Sequence, residues 1–150
     1  MDFSKLSRED VMVLLGAILL FIGLIAFPWY SVSLGFGLGS VDRSATDSPY
    51  AIWGILALIV VIAIAIDLAL ERFSPATVLP TTQVGRGMTR VGLCALMLLL
   101  LFIKFLAHVG SFGWGFVLDA ILAGLVTAGA WFIAQGRATP LSPGTRTPAP

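Results

Sequence analysis

Charge is scarce in this sequence: nine Lys and Arg and eight Asp and Glu, 11% of 150 residues, against 58% hydrophobic. A soluble domain carries about 25% charged and about 45–50% apolar residues, so a water-soluble globule is excluded. The net charge is +1 and no basic run is present, so no nucleic-acid partner is expected. Cysteine and histidine occur once each, as Cys94 and His108. One cysteine forms no intrachain disulfide, and the chain has no C-x-x-C and no H-E-x-x-H. Most intrachain metal sites are excluded with them, no cofactor is expected, and a bis-histidine haem would need a second chain. No nucleophile–base pair accompanies the few polar residues, so an enzyme is not expected. Gly35, Gly37 and Gly39 lack a Walker lysine and precede no soluble helix, and GRGMT in the middle of the chain fails the same test. Alternation of apolar and polar residues, the mark of a membrane-barrel strand, is absent from the long apolar runs.

Those runs fill most of the chain. Four lie near 11–30, 50–70, 91–109 and 116–134. Each approaches the roughly 20 apolar residues that cross a bilayer, and in hydrocarbon a helix satisfies its own backbone. The expected fold is an all-α four-helix transmembrane bundle over residues 1–136, with loops at 31–49 and 71–90. The tail 137–150, RATPLSPGTRTPAP, is Pro-rich without apolar periodicity and is expected to be disordered. Ser7 followed by Asp10 reads as a capping box opening the first helix. The apolar stretch 11–27 exceeds the 7–15 residues of a typical signal-peptide core and no A-x-A site follows, so the first span is expected to be retained.

Lysine and arginine set orientation. Lys5 and Arg8 precede the first span, Arg72, Arg86 and Arg90 separate the second and third, and Arg137 and Arg146 follow the fourth. The loop 31–49 has only Arg43, set against Asp42 and Asp47. Both termini are therefore expected in the cytoplasm, as a multi-pass protein of the cell membrane. Trp29, Tyr30, Tyr50, Trp53 and Trp114 would then form an aromatic belt at the outer interface. The partial alternation of SVSLGFGLGSVDRSATDSP predicts a short hairpin.

The polar residues inside the spans are the candidate sites. Arg90, Cys94, Met97, Leu101, Lys104 and His108 are spaced four, three, four, three, four. That is one helical stripe, and it is expected to face protein. Lys104 lies about 9 Å below the outer end at ~1.5 Å per residue. Its side chain leans toward the helix N-terminus, away from the near surface, so it needs a partner or a wet cavity. Asp119, one turn into the next helix, is the natural partner, and a Lys104–His108–Asp119 cluster results. Two readings stay open: a structural ion pair, or a functional intramembrane site. Asp67 and Glu71, one turn apart, face Arg90 at the other end. They read as a charge network, with proton or cation binding as the alternative. Cys94, among apolar neighbours, is expected to be an inert thiol. On the fourth span Ala120, Gly124 and Ala128 have the small-xxx-small spacing that lets helices approach closely, while Asp119, Ala123, Val126 and Ala130 share an adjoining face.

The first span ends FPWYSVSLG. Through Pro28, Trp29, Tyr30 and Ser31 the chain resembles a loosely defined, uncharacterised set of small four-helix bacterial membrane proteins of actinobacterial type. In these a Pro-Trp pair ends the first span, and small polar residues follow. The resemblance implies a four-span architecture and no particular activity. The expected function is a non-catalytic integral membrane protein acting through helix–helix association, as an accessory subunit or scaffold. Its partners would be the lipid bilayer and a second copy or another membrane protein. The alternative is a small oligomeric transporter or channel subunit using the Lys104, His108, Asp119 cluster and Asp67.

Overall fold

A computed structural model describes residues 6–36, 39–47, 50–74, 85–107 and 113–136. Among them the chain forms α1 (Arg8–Ala26), β1 (Tyr30–Ser33), β2 (Ser40–Arg43), α2 (Ala51–Phe73), α3 (Arg86–Ala107) and α4 (Trp114–Ala134). All four helices are long and apolar enough to cross a membrane, and the protein is a multi-pass membrane protein built as a four-helix bundle. His108, Lys5, Arg137, most of the connector between α2 and α3, and the tail lie outside the described residues.

Local chemistry sets the helix ends. At the start of α1, Asp10 N donates to Ser7 Oγ at 3.1 Å and Ser7 N donates to Asp10 Oδ2 at 2.8 Å, which satisfies two otherwise orphaned donors. The helix stops at Ala26, four residues short of the expected end at Tyr30. The cause is Pro28: a residue before proline is driven to extended backbone, and Phe27 sits at φ −88, ψ 142. The four residues released turn the chain into the hairpin. β1 and β2 pair antiparallel with Tyr30 opposite Arg43 and Ser33 opposite Ser40.

The helices pack as a ring, each against its two neighbours in chain order, with α1 closing on α4. The α1–α4 seam is the tightest. A Cβ built on Gly16 would lie 2.8 Å from Val126 Cγ2, and one on Gly129 would lie 2.8 Å from Val13 Cγ2, so the absent side chains let the two helices approach. The face Asp119, Ala123, Val126, Ala130 is buried in this seam. The ladder Ala120, Gly124, Ala128 is not: Ala120 and Gly124 are exposed and Ala128 is half-buried. The α4 sequence carries small residues on more than one face. Seam choice falls to the partner helix, whose own glycines at 16 and 23 match the Asp119 face.

On α3 the described part of the stripe, Arg90, Cys94, Met97, Leu101 and Lys104, is buried. Phe105 stacks on Phe116 at 4.7 Å, and Trp29 meets Phe116 edge-on at 5.3 Å. Trp29 and Tyr30 do not belong to a lipid-facing belt. Both are buried, because the chain turns inward at Pro28; Tyr50 and Trp114 remain exposed.

Candidate functional site

Two polar clusters occupy opposite ends of the bundle. At the end bearing the N-terminus, the expected residues Asp67, Glu71 and Arg90 meet. Asp67 and Glu71 lie one turn apart on α2, which puts both carboxylates on one face. Arg90, fully buried at the start of α3, reaches them with a planar fork. Its Nε donates to Asp67 Oδ2 at 2.9 Å, and its Nη2 bonds both Asp67 and Glu71. Arg86, one turn earlier, adds Nε to Asp67 Oδ1 at 2.9 Å and Nη2 to the Asp67 carbonyl at 3.1 Å.

A second pair was not expected from the sequence. Asp10, assigned there only as a cap, is fully buried and also receives Arg72, with Nη2 2.9 Å from Oδ1 and Nε 2.9 Å from Oδ2. Asp10 and Arg72 fall at the same depth of adjacent spans, and that match of depth is the signal that could have found them. Together three carboxylates face three guanidiniums. Asp10 and Arg90 are fully buried, and charges so buried persist only when paired and hydrogen-bonded, so the arrangement locks α1 to α2 and α2 to α3. Its geometry is that of a clasp; among the described residues no group of His, Cys, Asp and Glu is arranged to hold a metal ion.

At the hairpin end the expected Lys104–Asp119 contact is replaced by two separate arrangements. Lys104 is buried and its Nζ donates to the carbonyls of Asp47 at 3.2 Å and Tyr50 at 3.3 Å, 5.5 Å from the centre of the Tyr30 ring. The loop preceding α2 descends onto the lysine. That loop is itself docked: Ala45 is fully buried, and its carbonyl occupies the space a Cβ on Gly54 would need. Ser44 N donates to Asp47 Oδ2 at 2.7 Å and holds the Asp47 carboxyl below its usual range. Tyr30, whose hydroxyl donates to the Asp47 carbonyl at 3.1 Å, is pushed up by burial.

Asp119 instead faces α1. Its Oδ2 accepts the Trp29 indole N–H at 2.6 Å, and its Oδ1, which has no hydrogen-bond partner among the described residues, fills the place left by the missing side chain of Gly23. The lysine and the aspartate were matched by depth, but α3 turns its stripe toward α2 and the loop while α4 turns Asp119 toward α1. Backbone carbonyls have no signature in sequence, so the partners of Lys104 could not be read there.

Lys104→Met should therefore loosen the loop without unfolding the bundle. Each carbonyl left unpaired costs about 1–3 kcal/mol. Hydrogen exchange at residues 44–47 and 50 should accelerate at least tenfold, about 1.4 kcal/mol, while exchange in the middle of α1 and α4 stays unchanged.

Between α3 and α4 lies an apolar groove of about 270 Å³, bordered by Trp29, Leu101, Phe105, Phe116 and Ala120. It opens to the lipid side and has almost no polar lining. Comparison of the chain with protein-family models, with curated proteins and with solved structures finds no match.

Proposed function

We propose that the protein is a non-catalytic membrane protein that works by helix–helix association, as an accessory subunit or self-assembling scaffold. The observation that carries this reading is on α4. Most of its Ala120–Gly124–Ala128 ladder is spare: Ala120 and Gly124 are exposed and Ala128 is half-buried, the intrachain seam uses the neighbouring face, and a Cβ built on Gly124 would meet no atom within 4 Å. In lipid, association rests on packing rather than on apolar burial, and small residues admit a second backbone closely. The polar interior favours the same reading. Lys104, Asp67, Glu71 and Arg90, which a transporter would present to water, hold partners within the chain.

The test is to replace Ala120, Gly124 and Ala128 together by leucine and to measure proximity energy transfer between labelled copies in liposomes across protein-to-lipid ratios. Most of the ladder is spare, so the variant should keep its helical content and unfolding midpoint. Self-association should weaken at least tenfold, about 1.4 kcal/mol. Assemblies that survive all three substitutions would overturn the reading.

A further inference from the structure

The β1–β2 hairpin has two chemically different faces. Residues directly opposite in an antiparallel pair point to the same side, and successive residues alternate. Ser31, Ser33, Ser40 and Asp42 thus share one face, where Ser31 Oγ lies 2.6 Å from Asp42 Oδ1. The other face starts at buried Tyr30 with Arg43 beside it and continues through the Val32–Val41 pair to Leu34. Val32, Val41 and Leu34 are exposed, and Phe36 at the turn is fully exposed. Phe36 also sits at φ +48, a left-handed conformation that a bulky side chain rarely adopts.

The position of this face decides what covers it. The hairpin is tied down at its base: Trp29 N donates to the Arg43 carbonyl at 2.8 Å, and Gly113 N donates to the Trp29 carbonyl at 2.7 Å. Gly113 adjoins exposed Trp114, and Tyr50, whose carbonyl receives Lys104, is exposed too. Exposed Trp and Tyr at the ends of spans mark the lipid–water boundary. Strands of four residues reach only about 13 Å from there. Beside the base of β2, a cleft of about 290 Å³ is lined on one side by Ile25 and Ala26, the last turn of α1, and on the other by Asp42, Arg43, Ser44 and Asp47. The apolar face therefore stands within one short strand length of the lipid–water boundary. It also carries a cation: among the described residues the Arg43 guanidinium has no hydrogen bond or ion pair, while Asp42 points to the opposite face. Arg43 also interacts electrostatically with Asp47 and Tyr30; apolar side chains flanked by a basic group are the chemistry of elements that lie in the headgroup layer.

We propose that this face is an interfacial anchor lying on the lipid surface at the hairpin end. Val32, Val41, Leu34 and Phe36 enter the headgroup–acyl boundary and Arg43 meets a lipid phosphate. The anchor fixes the tilt of the bundle and leaves the serine face toward water.

The test places a single environment-sensitive fluorophore on the full chain, in a Cys94→Ser background, in phosphatidylcholine liposomes. One variant is Phe36→Cys and the other, on the polar face, is Ser40→Cys; Val32→Cys repeats the first. The expected result is blue-shifted emission at positions 36 and 32, with quenching by shallow nitroxide lipids about threefold stronger than at position 40. Position 40 should be quenched by aqueous iodide, and neither reading should change with protein density. Water-like emission at position 36, equal to that at 40, would overturn the proposal. So would protection at position 36 that grows with protein-to-lipid ratio and is insensitive to nitroxide lipid, because a second copy of the chain would then cover the face.

Discussion

Arg90→Met is expected to lower the stability of the folded bundle by about 3–5 kcal/mol, the usual result of removing one member of a buried ion pair. The guanidinium is fully buried, and it is the group common to Asp67 and Glu71. After the substitution Asp67 keeps Arg86, but Glu71 loses the partner that Arg90 supplied. Unfolding in mixed micelles, followed by loss of helical signal, measures the change. The physical cause is separable from simple loss of packing. Arg90→Met combined with Glu71→Gln should recover at least half of the loss, because the stranded anion is gone, Asp67 keeps Arg86, and a neutral partner is cheap to bury by comparison. Arg90→Lys should fall between, since an ammonium cannot reproduce the two-acid fork. A double variant no more stable than Arg90→Met alone would show that the clasp matters for its shape and not for its charge.

Gly23→Ala should be strongly damaging for the addition of a single methyl group. An added Cβ would fall on the Asp119 carboxylate and close to the Phe27 ring, 3.1 Å from Cδ2. The carboxylate cannot simply rotate away, since Oδ2 is held by the Trp29 indole. Overpacking of a well-filled core costs about 1–3 kcal/mol and occasionally more; the upper end, about 3 kcal/mol, is expected here. Gly92→Ala supplies the control. Gly92 is exposed on α3 and an added Cβ meets nothing within 4 Å. Replacing a glycine in mid-helix by alanine there should leave stability unchanged or raise it by up to ~1 kcal/mol. Opposite signs for one chemical change on two helices are the readout. If both variants unfold alike, the close α1–α4 approach at Gly23 is wrong.

The spacing of Arg90, Cys94, Met97, Leu101 and Lys104 identified the inward face of α3 because a buried helix face repeats every three to four residues whatever it packs against. For the same reason the pairing of Asp67 and Glu71 with Arg90 could be anticipated: one turn separates the acids, and short connections bring consecutive spans together. The hairpin too was foreshadowed by alternation in its loop. Trp29 and Asp119, 90 positions apart, offered no such regularity. Neither did Asp10 and Arg72, where the capping role concealed the ion pair.

By itself the sequence determined that the protein resides in a bilayer, that it crosses four times, and that it does so as helices. Hydrocarbon imposes those outcomes on any chain with runs of this length and apolarity, since an unsatisfied backbone group there costs too much. Only the tertiary structure decided which faces met. Turning a helix about its axis leaves its span and hydropathy unchanged but exchanges one neighbour for another. The choice between seams depends on the fit of two surfaces at once: Gly16 against Val126, Gly23 against Asp119, and Gly129 against Val13. That fit turned Asp119 toward Trp29, left Lys104 to the loop carbonyls, and kept the Ala120–Gly124–Ala128 ladder on the outside.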